Sequence, residues 1–183
     1  KSSDGQNWEQ LTDSAPWSPR AGAAVVVKDG YMYLLGGEDG FVCTVESRCP
    51  PYYNDVWRSS DGEVWELIIE EADCAPRPGH QVQVLRDHFV LYGGFGLSSN
   101  PDSPFEPANP VDVWVSKDGL QWTMLNDPPW NAIGPEEVKY DFDALVVGES
   151  IYTFGGDRET FYFSDLTNYL NVDNDVWQFT SSY

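Results

Sequence analysis

Short apolar runs rich in β-branched and aromatic residues, each bounded by a turn sequence, recur along this chain. Residues 23–27 and 31–35 form two runs, which are separated by Lys-Asp-Gly and closed by a Gly-Gly pair. Residues 55–59 and 65–69 form two more, joined through an Asp-Gly turn. β-branched and aromatic side chains favour strands, and glycine accepts the positive φ of a tight turn. The pattern predicts four antiparallel strands, and because no window has a helical period we expect an all-β fold.

The same four-strand unit repeats at a nearly constant step. A Ser-x-Asp-Gly-x-x-Trp segment ends at Trp65, and copies of it end at Trp8 and Trp122, so that the two steps between them are equal. The pair Gly36-Gly37 returns after the same step, and then once more after a slightly longer one. Self-similarity at such a period indicates a repeat architecture, and we expect the repeated tryptophans to fill the space between neighbouring sheets. The strands predicted for the second unit are residues 81–85, 89–92, 113–116 and 121–125.

These features resemble a kelch motif, the blade of a β-propeller. An apolar run ends in Gly36-Gly37, and Trp57 follows about twenty residues later, as in kelch repeats. The Ser-x-Asp-Gly-x-x-Trp segment is similar to the Asp-box turn of sialidase-like propellers, with one residue fewer before the glycine. The resemblance implies a β-propeller built from four-stranded antiparallel kelch-like blades. It implies little about function, because propellers carry many unrelated activities.

The repeat divides the chain, a single propeller segment, into four parts. Residues 21–77 and 78–138 are predicted to be complete blades. Residues 1–20 are predicted to hold the last strand of a split blade and a connection, and residues 139–183 the first three strands of another. Joining these two parts gives about three blades, fewer than the four to eight of known propellers. We therefore expect this segment to be part of a longer protein, or half of a ring in which a second copy completes the split blades.

The composition is strongly acidic, with 30 Asp and Glu residues against 10 Lys and Arg residues and a formal net charge of −20. Phosphate binding needs clustered basic side chains, so the charge excludes a nucleic-acid partner and disfavours anionic membrane surfaces. No apolar run is long enough to predict insertion into a membrane. A self-repelling secreted protein is one explanation of the charge, and acidic loops that bind Ca²⁺ or a cationic partner are another. The acidic residues lack the spacing of an EF-hand, so no cofactor is predicted.

Three cysteines are predicted to lie at one end of the blades. Cys43 and Cys49 belong to one long loop, and Cys74 belongs to the connection between two blades. In a propeller this loop and this connection emerge on the same face, so at least one disulfide is expected among the three. The sequence leaves every pairing open, and three reduced thiols are the alternative. A disulfide would indicate an oxidising compartment, and we therefore expect an extracellular or secreted protein.

Aromatic residues are concentrated in the segments that should emerge on this face, called here the long-loop face. The predicted loops span residues 38–53, 95–110 and 157–173, whereas the turns at the opposite end are short. Long aromatic loops on a rigid scaffold are typical of interaction surfaces. Packing of these rings on one another, or of the tryptophans on neighbouring blades, is the alternative. The candidate partner-binding residues are Trp17, Tyr52, Tyr53, Phe95, Phe105, Trp130, Phe161 and Phe163.

The sequence contains no complete catalytic motif. A galactose-oxidase-like copper site needs two histidine ligands, but His80 is predicted at the start of an inner strand and His88 in a turn at the opposite end. Arg20 and Arg77 recur with the repeat, which indicates a structural role. The sequence therefore predicts a non-catalytic interaction module that binds a protein or glycan partner, or that forms part of a larger assembly. A fragment of a propeller enzyme, galactose-oxidase-like or glycan-processing, is the alternative.

Overall fold

The computed structural model describes residues 1–40, 52–96, 110–125, 138–158 and 172–180. Within these ranges the chain forms strands, turns and bends, and the all-β prediction is confirmed. The strands are β1 (Ala24–Lys28), β2 (Tyr31–Glu38), β3 (Tyr52–Ser59), β4 (Glu66–Ile69), β5 (Gln81–Leu85), β6 (His88–Tyr92), β7 (Trp114–Ser116), β8 (Thr123–Met124), β9 (Asp143–Val147), β10 (Ser150–Asp157) and β11 (Val172–Thr180).

The strands form three antiparallel sheets, one for each repeat, which we call blades 1 to 3. Blade 1 has the order β1-β2-β3-β4 and blade 2 the order β5-β6-β7-β8, so each meanders from one strand to its neighbour. Blade 3 has the order β9-β10-β11 in the part of the chain that the structure describes. These open, side-by-side sheets are those of a partial propeller, and the predicted fold class is confirmed.

The Gly-Gly pair within or directly after each second strand has a physical reason. In β2 the pairing register with β3 shifts just ahead of Gly37, which marks a bulge. Gly36 and Gly37 have φ angles of +59° and +104°, values that disfavour any side chain. A Cβ on Gly37 would lie 2.7 Å from the backbone oxygen of Ala21, so no larger residue fits there. Beyond the bulge β2 continues further than predicted, and Glu38 pairs with both Tyr52 and Ala21.

The blades pack side by side through their first strands, with β1 beside β5 and β5 beside β9. Backbone hydrogen bonds join the segments just ahead of these strands, from Gly79 N to Gly22 O (3.0 Å) and from Asp141 N to Gly79 O (2.9 Å). A hydrophobic core lies at each junction between blades. The core between blades 1 and 2 includes Tyr33, Leu35, Val56, Val82, Phe89, Leu91 and Trp122. The core between blades 2 and 3 includes Leu85, Val90, Tyr92, Val113, Phe142 and Ile151.

The repeated tryptophans fill interblade space only where two described blades meet. Trp122 lies just ahead of β8, is 5% exposed and packs against Phe89. Trp8 and Trp177 are 75% and 45% exposed, so the expectation of burial is wrong for both. The reason is positional, because within the described ranges no neighbouring sheet covers either residue. The third-strand tryptophans stand at equivalent places on β3, β7 and β11, namely Trp57, Trp114 and Trp177.

Each end of the row of blades presents an apolar sheet face. Val25 and Val27 of β1 are 60% and 64% exposed, whereas Val82, the equivalent of Val25 in the next repeat, is 1% exposed in the first core. At the other end Val147 and Val176 are 58% and 60% exposed, while the equivalent side chains of blade 2 are buried against blade 3. The faces that form the cores inside the row are therefore exposed at its ends.

Candidate interaction surface

An ion pair repeats in each blade and fixes the segment ahead of the first strand. Arg20 donates two hydrogen bonds to Asp55, of 2.6 and 3.0 Å, and the indole of Trp57 donates a third, of 2.7 Å. A bidentate pair of this kind orients the guanidinium as well as binding it. Blade 2 repeats the arrangement with Arg77, Asp112 and Trp114. Both arginines thus belong to the framework, in agreement with the structural role predicted from their recurrence.

Blade 3 keeps this ion pair but replaces the arginine by lysine. Lys139 donates to Asp175, whose other oxygen accepts the indole N–H of Trp177 at 2.7 Å. In blade 2, burial opposes the ionisation of Asp112, but the hydrogen bonds and charge of Arg77 outweigh it and hold the pKa of Asp112 below its ordinary value. Against burial, Lys139 and the indole of Trp177 likewise hold the pKa of Asp175 below its ordinary value, so Asp112 and Asp175 are ionised within the framework.

The short turns at the opposite end, called the turn face, are held by their aspartates. Asp61 accepts backbone hydrogen bonds from Glu63 (2.8 Å) and Val64 (2.9 Å). These hydrogen bonds hold the pKa of Asp61 below its ordinary value. Because each carboxylate serves its own turn, the turn face is a structural feature. The same hydrogen bonds recur in the other copies of the turn, at Asp4 and Asp118.

Three of the predicted partner-binding residues line one groove on the long-loop face of blade 1. These are Trp17, Tyr52 and Tyr53, and the exposed residues Glu70 and Glu71 line the same groove. Its cavity volume is about 350 Å³. The two tyrosines belong to β3, which begins three residues before the predicted strand, so they stand on a strand and not in a loop. The groove is thus aromatic, acidic and built on a rigid element.

Stacked rings form one wall of this groove. Trp17 packs edge-on against Trp57 and Trp65, with ring centroids 5.7 and 4.7 Å apart. The guanidinium of Arg20 lies 4.1 Å from the ring centroid of Tyr53, a cation–π contact. Trp17 therefore covers the tryptophans of blade 1 and at the same time lines the groove.

Part of the equivalent surface of blade 2 is covered by blade 1. Cys74 and Trp122 stand one full repeat after Trp17 and Trp65, and both are buried in the core between blades 1 and 2. Blade 1 is what covers them. At the position of Trp17 the groove on blade 1 is therefore open, whereas the equivalent position on blade 2 lies in the core between two blades.

A second group of side chains lies on the long-loop face where the three blades meet. Glu38, Phe95 and Asp157 occupy equivalent positions, directly after the Gly-Gly pair of each blade. The backbone of each is hydrogen-bonded, at 2.9–3.0 Å, to the segment ahead of the first strand of its blade. We call the group formed by five neighbouring residues the inner cluster: Glu38, Tyr52, Phe95, Tyr140 and Asp141.

Aromatic rings from all three blades are in contact in the inner cluster. The ring centroid of Phe95 lies 6.4 Å from that of Tyr52 and 5.6 Å from that of Tyr140. Phe95 is 5% exposed, so this predicted loop residue is a buried one. Tyr52 is partly exposed and belongs to both the inner cluster and the groove. The two features are therefore continuous.

Acidic groups are crowded in the inner cluster. Glu38 is 1% exposed, and its Oε2 has no hydrogen-bond partner in the part of the chain that the structure describes. Burial raises the pKa of Glu38 to about 7, and the negative charge of Asp141 adds to the effect. Burial, together with the charge of Glu38, raises the pKa of Tyr52 to about 12. Loss of solvation of its carboxyl, and then the charge of Asp157, raise the pKa of Asp141. The carboxyl groups of Glu38 and Asp141 thus lack a basic counter-charge among the described residues.

Sequence reasoning missed Glu38, Tyr140 and Asp141. Asp141 carried a signal, because it occupies the place of Gly22 and Gly79 in the first two repeats. The longer step of the third repeat concealed this equivalence. For Glu38 the signal was its place after the Gly-Gly pair, at the start of a predicted loop.

Only one of the three cysteines is described. Cys74 is a free thiol in the first core, and burial raises its pKa to about 11. The disulfide expected among the cysteines therefore stays a prediction for the other two. The predicted residues that lie outside the described ranges are Cys43, Cys49, Phe105, Trp130, Phe161 and Phe163.

The two histidines stand at opposite ends of β5. His80 is 4% exposed and donates through Nδ1 to the carbonyl oxygen of Arg77 at 2.6 Å, and burial lowers its pKa to about 4. His88 begins β6, is exposed, and lies 2.9 Å from the carbonyl oxygen of Arg86. Among the described residues no group of three or more His, Cys, Asp or Glu side chains could hold a metal ion.

The sheet order, the bulged second strands and the packing of first strands together define blades of a β-propeller. Residues 19–47 match the model of the kelch motif, and the resemblance to kelch repeats is confirmed. The structure of YjhT superimposes with a TM-score of 0.58 and 15% identity, covering 78% of this chain and 46% of that chain. At this identity the likeness establishes the fold alone.

One curated relative is the Ras guanine nucleotide exchange factor F of Dictyostelium discoideum. It is 27% identical over 97 residues, which make up 52% of this chain and 8% of that protein. The chain thus spans a small part of this relative. Within the described ranges no helix is long and apolar enough to cross a membrane.

Proposed function

We propose that this protein is a non-catalytic interaction module that binds a protein partner through the groove on blade 1. Kelch repeats generally serve as protein-interaction modules. The observation that carries the proposal is the groove itself, in which Trp17 is partly exposed although its equivalent on blade 2, Cys74, is buried in the core between two blades. Trp17, Tyr52 and Tyr53 supply large rings with polar tips, a type of side chain enriched in binding interfaces.

Photo-crosslinking tests this assignment. A benzoylphenylalanine at position Glu71, which is exposed and lines the groove, should form crosslinks to a partner protein when the full chain is expressed in its own cells. The matched control replaces Glu63, an exposed glutamate of the turn face, and should give few crosslinks. Equal crosslinking from the two positions, or none from the groove, would contradict the proposal. Crosslinks to glycan-bearing material alone would favour a glycan partner.

We further propose that the protein takes part in a larger assembly through its open end faces. Val25 and Val27 are exposed on blade 1, and Val147 and Val176 on blade 3. Exposed apolar faces of this kind favour association. Light scattering should therefore find the 183-residue chain as a dimer or larger species. A stable, compact monomer would argue against self-association through these faces.

An extracellular location is also proposed, on the basis of the acidic composition and the spacing of Cys43 and Cys49. Since Cys74 is a buried free thiol, these two cysteines are the candidates for a disulfide. Mass spectrometry of peptides from unreduced protein should find them linked. If both are recovered as free thiols, the argument for an oxidising compartment is lost.

A further inference from the structure

The inner cluster is a place where three blades direct side chains into one region. Glu38 comes from blade 1, Phe95 from blade 2 and Asp141 from the segment ahead of blade 3. Asp141 N bonds to Gly79 O, and Gly79 N bonds to Gly22 O, so these segments are tied in a fixed row. The row holds these side chains close to one another.

Glu38 lowers the stability of the fold as it stands. Its side chain is buried and its Oε2 has no hydrogen-bond partner among the described residues. A buried carboxylate oxygen without a partner loses its hydration and gains no hydrogen bond in return. Neither Glu38 nor Asp141 forms an ion pair within the part of the chain described by the structure. A residue that lowers stability in the free protein is typical of a binding site.

Asp141 also occupies an unfavourable position. Its φ is +48°, in the left-handed region, where the equivalent residues are Gly22 and Gly79 with φ of +60° and +68°. Aspartate tolerates this conformation better than most residues, but glycine adopts it without strain. Its Oδ1 lies 2.6 Å from the place that a Cβ on Gly79 would take. The third repeat thus carries a carboxylate where the backbone conformation favours glycine.

We propose that the inner cluster binds the charged end of a lysine or arginine side chain, with Glu38 and Asp141 as its counter-charges. The rings of Tyr52, Phe95 and Tyr140 add aromatic surface, which attracts organic cations. Asp141 is exposed and Tyr52 partly so, and the basic side chain approaches through them towards Glu38. This inference rests on the proposed function, since it names the chemistry by which the partner is recognised.

The chemistry of the cluster favours an organic cation over Ca²⁺. Calcium takes six to eight oxygen ligands. The described residues contain no group of three or more acidic, histidine or cysteine side chains that could hold a metal ion. Aromatic rings, which dominate the cluster, do not serve as calcium ligands. The net charge of −20 would in addition speed the approach of a basic partner.

Nuclear magnetic resonance titrations can test the proposal with simple probes. Nα-acetyl-arginine amide and Nα-acetyl-lysine amide should shift the resonances of the inner cluster in a saturable way, whereas neutral Nα-acetyl-glutamine amide should not. Glu38→Gln should weaken probe binding at least tenfold, while Glu63→Gln, which changes the net charge equally on the turn face, should leave it unchanged. With the carboxyl carbon of Glu38 labelled, saturating probe should lower the pKa of that group by about one unit or more.

Three results would overturn the inference. These are unchanged binding in Glu38→Gln, equal binding of the glutamine probe, or shifts of the cluster caused by CaCl₂ but not by the basic probes. The result of this titration can be distinguished from that of the crosslinking experiment. Crosslinks from the groove without probe binding would leave the proposed function standing and remove this inference. Probe binding without crosslinks would remove the proposed groove and leave the cation site.

Discussion

Replacing Glu38 by glutamine should stabilise the protein, and more so as the pH rises. The folded pKa of Glu38 is about 7, against an ordinary value of 4.5. Between these values the unfolded chain releases the proton while the folded protein retains it, so the free energy of unfolding falls as the pH rises. Each pKa unit corresponds to about 1.4 kcal/mol. Allowing for partial solvation at the edge of the cluster, we expect Glu38→Gln to gain roughly 2–3 kcal/mol at pH 8 relative to pH 5.

Urea unfolding followed by tryptophan fluorescence measures this effect. Wild-type protein, Glu38→Gln and the turn-face control Glu63→Gln would be compared from pH 5 to pH 8.5, with the slope of the denaturant dependence checked for constancy. The curve of Glu38→Gln should separate from the other two through neutral pH, while the control follows the wild type. Parallel curves for all three proteins would mean that ionisation of Glu38 does not lower the free energy of unfolding. The reasoning about its buried carboxyl group, with one oxygen unpartnered among the described residues, would then be refuted.

Four other predictions follow from the packing and the turns. Trp122→Ala should cost about 3–5 kcal/mol of unfolding free energy because the ring is buried, whereas Trp8→Ala should change it by less than about 0.5 kcal/mol. Asp112→Asn should destabilise at neutral pH, and its deficit against wild type should shrink as the pH falls below the ordinary aspartate value of 3.8, since the lowered folded pKa makes the ion pair fade there. Asp61→Ala should lower the melting temperature yet leave crosslinking through the groove unchanged. Cys74 should react with iodoacetamide only after denaturation.

The exposed end faces bear on how these measurements are interpreted. An association that covers Val25 and Val27 would bring a protein surface beside the groove, as blade 1 does for the equivalent surface of blade 2. Stability would then depend on protein concentration. Unfolding at two concentrations that differ tenfold separates this contribution from that of any single side chain.

The sequence was sufficient to predict features that depend on neighbours along the chain or on an exact repeat. Apolar runs and turn residues predict the strands, because both strand pairing and turns are local. The constant step between the first two repeats identifies Arg20 and Arg77 as one structural position, and Asp61 as a turn residue with copies. Repeated units stack in the same way, so what holds for one copy holds for the next.

Tertiary structure alone decided which side chains of different blades meet. Trp8 and Trp122 are the same residue in the repeat, yet one is exposed and the other buried, because only Trp122 has a described blade in front of it. The inner cluster joins Glu38 to Asp141, although more than half of the chain separates them in sequence. The pKa values of Glu38 and Asp141 are raised because the edges of three blades approach one another closely there. How closely they approach depends on the angle between the sheets. Residue spacing specifies a sheet and its turns, but the burial of a side chain and the pKa of its carboxyl depend on how the blades pack together.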